Sequence, residues 1–210
     1  MVPVKVVKGV YVVASAQTTH PYDANAYLVE LKSGKTILVD SSSGLAVDRM
    51  IVNILQLGVS PRSIEYLINT HCHIDHAGGN YTLYKTLSKL RVVAHIPDSE
   101  AIMNGDETLT AARRYNFKFP ASPVSIVLRR KEEVISIGDE EVRIIHTPGH
   151  TKGSITIILE IDSLRIAFAG DINGPLSKEW LSSEEELKKS ILRILDANPD
   201  VLLLGHTIIR

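Results

Sequence analysis

Three histidines and one aspartate crowd into His71-Cys72-His73-Ile74-Asp75-His76, directly behind the apolar run Ile64 to Ile68. That run reads as a buried strand and Asn80 to Leu90 as a helix, so the cluster occupies a strand-to-helix loop. Open α/β sheets usually place their ligands at such loops. On an extended segment, residues two apart face the same way, so His71 and His73 can grip one ion together. Asp75 and His76 follow where the chain turns and can diverge toward a second ion. Gly78 and Gly79 are read as the bend that lets the helix begin. A fold that serves this loop must hold it rigidly at the rim of a sheet.

The remaining pattern supplies such a sheet. Val4 to Val7 and Gly9 to Ala14 read as a hairpin or bent strand, and Asn25 to Leu31 and Thr36 to Asp40 as strands joined by a turn at Lys32 to Lys35. An amphipathic helix is expected over about Ala46 to Leu57, stopped by Gly58 and Pro61. Further strands are expected at Val92 to His95, Val124 to Ile137, Glu141 to His146, Ile155 to Ile161, Leu164 to Ala169 and Val201 to Leu204. Helices are expected from Pro97 to Asn104 and from Ser182 to about Ala197, the latter with a serine cap and an acidic first turn. Gly105 to Pro123 is the least regular stretch and reads as a partly helical insertion over the active-site side. Strands first cluster and then alternate with helices, which gives two sheets covered by helices.

Composition narrows the function. With 210 residues the chain fits a single domain spanning 1–210, and 44% apolar residues with a net charge of −1 describe an ordinary soluble protein. No basic excess marks a nucleic-acid surface. The N-terminus lacks a signal peptide's apolar core, and no run reaches the roughly 18 apolar residues of a membrane span. A lone cysteine, Cys72, excludes an internal disulfide and suits a reducing compartment, so a cytoplasmic location is expected. The expected partner is a small-molecule substrate, with no nucleic acid and no membrane; a homodimer stays open.

Three later residues share one trait: His150, Asp171 and His206 each follow a glycine at or just beyond the end of an apolar strand. Strand ends on one side of a sheet converge, so these residues can meet the first loop. The inventory is His71, His73 and His150 around one ion, and Asp75, His76 and His206 around another, with Asp171 bridging. Imidazole and carboxylate donors suit zinc, with iron or manganese as alternatives.

The order His-x-His-x-Asp-His, then Thr147-Pro148-Gly149-His150, Gly170-Asp171 and Gly205-His206 resembles the metallo-β-lactamase superfamily. Asn25 to Val29 and Val39-Asp40 extend the resemblance over nearly the whole chain. It implies an αββα sandwich, an α/β fold of four layers, with two divalent metal ions along one edge of the sheets and the ligand set given above. Two ions about 3.5–4 Å apart share a water and yield a bridging hydroxide near neutral pH. Asp75 would also orient or accept a proton as a catalytic residue, and Asp40 would hold a ligand imidazole in its tautomer.

The segments His71 to Asn80 and Thr147 to Ser154 look most like glyoxalase-II-type hydrolases, which cleave hydroxyacylglutathione thioesters. The sequence stops soon after His206, where that family carries a helical domain that helps hold glutathione, so a different thioester, an ester or lactone, or a phosphodiester is also expected as substrate. Persulfide dioxygenases resemble the same motifs. They use one iron to oxidise a thiol-bound sulfur, and the positions of their triad, His71, His150 and Asp171, are present. Retention of Asp75, His76 and His206 favours two ions, and filled ligand positions argue against a non-catalytic use of the fold.

Other polar residues take simpler readings. Cys72 should point away from its histidine neighbours, His95 and His146 should be structural, and His20 with Tyr22 should line the pocket mouth. Lys152, Lys178 and Arg113 read as solvated surface.

Overall fold

Alternating apolar side chains make each strand of the first sheet two-faced, and that alternation builds the layers. The structure, a computed structural model, describes residues 2–209. Its first sheet runs β1 (Val4–Val7), β2 (Val10–Ala14), β3 (Ala26–Glu30), β4 (Thr36–Val39), β5 (Ile64–Ile68), β6 (Arg91–His95) and β7 (Ile126–Leu128), in that spatial order. Pairing is antiparallel from β1 to β4 and parallel from β4 to β7. The second sheet runs β8 (Glu132–Ile137), β9 (Glu140–His146), β10 (Ile155–Ile161), β11 (Leu164–Phe168), β12 (Val201–Leu203) and β13 (Ile208–Ile209), also in spatial order. Among the described residues, only β11 and β12 pair in parallel there.

On β3, Tyr27 and Val29 face the second sheet while Leu28 faces away, as the period of two requires. The inner faces meet in one apolar layer, where Val12, Val39, Ile68 and Val93 pack with Val142, Ile157, Ile166 and Phe168. Helices α1 (Val47–Gln56), α2 (Ile74–Ala77), α3 (Asn80–Thr86), α4 (Asp98–Asn104) and α5 (Glu184–Asp196) cover the outside. Met50 and Ile54 of α1 and Leu83 of α3 seat on Leu28, Leu38 and Leu67. Ile194 of α5 seats on Ile145, Ile158 and Ala167 of the other sheet. The architecture is the expected αββα sandwich. Among the described residues no helix is long and apolar enough to cross a membrane.

Several hydrogen bonds lock the sheets together at one rim. Ile155 donates its N–H to the Thr70 carbonyl (2.8 Å), and Asn25 donates its own to the Gly205 carbonyl (2.7 Å). The Asn25 amide (3.1 Å) and the Tyr27 hydroxyl (2.6 Å) both donate to the Leu204 carbonyl. Asn25 and Tyr27 thus dock the loop that carries His206 onto the first sheet.

Two local expectations need correcting. The pattern over Val124 to Ile137 predicts one strand, but the structure divides it into β7 and β8, which belong to different sheets. Arg129, Arg130 and Lys131 lie between them and stay exposed, so the chain crosses between sheets where its charges keep their water. Glu133 accepts the N–H groups of Arg129 (2.6 Å) and Arg130 (2.9 Å) and turns the crossover. The helix expected to reach Leu90 stops at Thr86, because Leu87 becomes extended and, with Leu90, packs into the layer beneath α1. The stretch from Gly105 to Pro123 contains one turn of 3-10 helix, Ala112–Tyr115, and packs Ala112 and Phe119 against Cys72 and Ile74.

The glycine pair after the histidine loop also works differently from a bend. Gly78 has φ −63° and Gly79 φ −79°, values any residue adopts. A Cβ on Gly78 would instead run into the carbonyl oxygens of Ser43 and Ile74, and one on Gly79 into that of Ser41. The pair lets the loop after β4 lie flat on the histidine loop. Gly78→Ala should therefore lower stability by about 1–3 kcal/mol, the usual cost of overpacking. A urea titration would show it as a fall in midpoint at unchanged slope.

Candidate metal centre

Strand β5 delivers the chain to Thr70, where Asp40, just past the end of β4, takes hold of it. One Asp40 oxygen accepts the Thr70 N–H (2.7 Å), and the other accepts the Thr70 hydroxyl (2.7 Å) and the His76 Nδ1–H (2.7 Å). Thr70 has spent its only hydroxyl proton on Asp40, so its oxygen accepts from His71 Nδ1 at 3.2 Å. Both rings consequently carry a proton on Nδ1 and turn Nε2 toward the donor groups; on His71 that nitrogen is a bare lone pair. His150 reaches the same state through Pro175, whose carbonyl accepts from Nδ1 at 2.8 Å. A hydrogen bond behind an imidazole fixes which nitrogen remains free to bind.

The expected residues come together in two groups. The donor atoms of His71, His73 and His150 lie within 4.8 Å of one another, as do those of Asp75, His76, Asp171 and His206. His150 Nε2 is 2.9 Å from His73 Nδ1. Asp171 spans the groups: one oxygen lies 3.3 Å from His76 Nε2, and the other 3.6 Å from both His150 Nε2 and His206 Nε2. His206 Nε2 also meets Asp75 at 3.3 Å. Gly205 permits this approach, since a Cβ there would collide with Asp171 and the His76 ring.

Burial divides the groups electrostatically. It is the main cause that drives His71 well below the usual imidazole range and His73 down to about 3, and it lowers His150 as well. These three are neutral imidazoles. Burial opposes charge on His76 too, but Asp171, Asp40 and Asp75 around it raise its pKa well above the usual range. Hydrogen bonds to Asp171 and Asp75 lift His206 to about 9. Asp171, though buried, is held well below the usual carboxylate range by His76 and His206. Protons on His76 and His206 therefore balance the carboxylates, a task a divalent cation performs more completely.

The donors fit such cations. Nε2 of His71 and His76 and one oxygen of Asp171 are buried with no hydrogen-bond partner, and so is Nε2 of His73, whose Nδ1 is the atom that meets His150. An unsatisfied buried polar group costs about 1–3 kcal/mol, and unpartnered atoms in both donor groups call for a further partner. Nitrogen donors in one group and mixed nitrogen and oxygen in the other match zinc, iron or manganese.

The other residues take simple places. Cys72 points away, its Sγ 3.3 Å from the Leu109 carbonyl, with burial pushing the thiol up. His95 and His146 stack on each other 4.0 Å apart and bond to backbone carbonyls, outside both donor groups. Tyr22 lines a cavity beside the site, and His20 packs against the Tyr22 ring at 5.7 Å. Lys152 pairs with Glu186 at 2.8 Å, while Lys178 and Arg113 are exposed.

Two residues escape a sequence reading. Asp98, in the first turn of α4, is 3% exposed and accepts from the Cys72 N–H (2.9 Å), the Thr151 hydroxyl (2.7 Å) and the Gly153 N–H (2.7 Å). It ties the segment between His71 and His73 to the loop carrying His150. The available signal was its position: like Asp40, it is an acid just past the end of a parallel strand. Trp180 packs its ring on His73 at 4.5 Å and on His150 at 5.8 Å, and no local pattern announces that contact.

A family model described as the metallo-beta-lactamase superfamily matches residues 20–206. Among curated proteins, a probable metallo-hydrolase of Methanocaldococcus jannaschii is 34% identical over 66% of the chain. An acyl-coenzyme A thioesterase of Bos taurus is 33% identical over 54% of it, and a hydroxyacylglutathione hydrolase of Maricaulis maris 34% over 52%. The matches span 64%, 43% and 34% of those proteins' own lengths. The structure is similar to a metallo-β-lactamase of Cronobacter sakazakii with a TM-score of 0.83, covering 98% of this chain and 80% of that one at 21% identity, a likeness of fold.

Asp98 accepts on both oxygens, so an amide in either orientation sets N–H against N–H or hydroxyl. Asp98→Asn should weaken metal binding at the His71, His73 and His150 group by about 10–100-fold, as is usual for partners behind metal ligands. Chelator competition would read it, with the Asp75, His76 and His206 group less affected.

Proposed function

The chain belongs to the metallo-β-lactamase superfamily, and from that premise we infer that it is a two-cation hydrolase of a small acyl substrate, a thioester, ester or lactone. The coarser statement, a metal-dependent hydrolase, rests on the family match and its relatives. The finer one rests on a single observation: two complete donor groups adjoin, with Asp171 placed between them. His71, His73 and His150 would hold one ion, Asp75, His76 and His206 the other, and Asp171 both. Zinc is the first choice for the donor set. When bound, the ions supply Lewis acidity for a carbonyl oxygen and bring the pKa of a water down toward about 7.

The chain's own residues do the rest. Asp75 is the carboxylate that lines the adjoining cavity, and from there it would orient a water and accept its proton. Asp40 and Asp98 keep the imidazoles aimed, and Trp180 shields the His73 and His150 flank from solvent. The resemblance of the histidine loop to glyoxalase-II-type enzymes favours thioesters among the acyl substrates; phosphodiesters fit the same donors less directly. A mononuclear iron dioxygenase built on His71, His150 and Asp171 would leave Asp75, His76 and His206 without a task.

Protein purified without added metal should carry about two ions per chain, mostly zinc, and its acyl hydrolysis should vanish on chelation and return with zinc. One iron per chain with substrate-dependent oxygen uptake would overturn the reading in favour of the dioxygenase. His73→Ala should lose metal together with activity. Asp171→Ala should cut turnover by more than about 100-fold, beyond the effect of outer partners, and change the metal count.

A further inference from the structure

Beside the Asp75 and His206 side of the donors lies a cavity of about 110 Å³, walled by Pro21, Tyr22, Ile74, Tyr115 and Phe117. Its rings pack edge to face: Tyr22 lies 5.8 Å from Tyr115 and 5.4 Å from Phe117. Tyr22 is nonetheless 50% exposed and Tyr115 43% exposed, an unusual outlay of aromatic surface next to buried ionic groups. The opposite flank has different chemistry. The Arg114 guanidinium sits 5.4 Å over the Trp180 ring, which packs on His73. Arg114 is exposed and has no carboxylate partner among the described residues. Tyr115 and Arg114 are consecutive, so one 3-10 turn presents an aromatic wall to one side of the donors and a cation to the other.

We propose that this turn selects the substrate: an ester or thioester whose short apolar acyl arm fills the Tyr22–Tyr115–Phe117 cavity and whose leaving group carries an anion that Arg114 reads. The inference rests on the hydrolase reading and deepens it. Size assigns the two ends. A cavity of about 150 Å³ holds a benzene ring, so one somewhat smaller takes an acyl arm of about four to five carbons. The exposed flank at Arg114 leaves room for the larger leaving group. Hydrolysis breaks the acyl C–S or C–O bond, puts the water oxygen on the acid and returns a proton to the thiol or alcohol. The anion stays on the leaving group throughout, so Arg114 serves binding and not bond breaking.

The chain supplies its own reporter, since Trp180 is its only tryptophan. Metal-loaded protein would be titrated with straight-chain carboxylates from acetate to octanoate, following Trp180 fluorescence. Affinity should rise about threefold to fourfold per methylene and level off near pentanoate. Phe117→Ala and Tyr115→Ala should flatten that slope. In steady-state assays, pentanoyl thioesters of a neutral thiol and of a phosphate-bearing thiol would be compared. Arg114→Gln should raise KM for the phosphate-bearing one about threefold to tenfold more than for the neutral one, a difference that shrinks with salt. A wild-type titration with no chain-length slope, or an equal KM effect of Arg114→Gln on both thioesters, would overturn the proposal. If the loaded protein hydrolyses no acyl substrate, the hydrolase reading falls and the assigned leaving group falls with it. The fluorescence slope still decides the apolar subsite on its own.

Discussion

The Asp40 carboxylate accepts three hydrogen bonds, from Thr70 N–H, Thr70 hydroxyl and His76 Nδ1–H, and the candidate centre is arranged around them. A carboxylate only accepts, so every group facing it must donate. That requirement propagates. It fixes the Nδ1 proton of His76 directly and that of His71 through the Thr70 hydroxyl, turning Nε2 of each into its own donor group. Asp40 itself sits at φ 61°, a left-handed conformation that aspartate tolerates better than most residues. Its three bonds hold it there. Asp98 repeats the arrangement across β5, just past β6, accepting two backbone N–H groups and a hydroxyl but no ring.

These carboxylates act from behind, and the ones in front face a different balance. Neutral imidazoles on one side and a cluster of carboxylates with protonated imidazoles on the other make the centre asymmetric in charge before any ligand enters. The asymmetry follows from burial. Three imidazoles with no carboxylate bonded to their open faces cannot keep a proton out of water, while His76 is surrounded by three acids and cannot lose one. The 3-10 turn from Ala112 to Tyr115 adds unlike walls to these unlike ends.

How much of this was legible depended on how far apart the partners stand. His71, His73, Asp75 and His76 announce themselves because rare residue types repeat at short spacing, and glycine before His150, Asp171 and His206 marks them as strand-end residues. The layers were legible from alternation in β3 and from the amphipathic stripe of α1. Asp98 and Trp180 were not, since their importance lies in partners at Cys72, Gly153 and His73, which no local pattern predicts. The break between β7 and β8 was hidden by apolar residues on both sides of the three charges at 129–131. Helix α2 has four residues, too few to nucleate alone, and exists because the surrounding contacts hold it. Gly78 was legible as important but for the wrong reason: backbone proximity, not curvature, requires it.

The donors also divide by sheet. His71, His73 and His76 follow β5 of the first, whereas His150, Asp171 and His206 follow β9, β11 and β12 of the second. Any ion held by both sets is a rivet through the seam between the halves of the molecule. Whatever parts the sheets must also tear donors from that ion, so its binding energy adds to the resistance against unfolding in proportion to how far its concentration exceeds its dissociation constant. Because the residues of one group are up to 131 positions apart (206 − 75), the rivet closes a long loop that nothing local can close, and it can be set only once both sheets exist. Metal supply would then govern how long the finished molecule lasts rather than whether it begins to form.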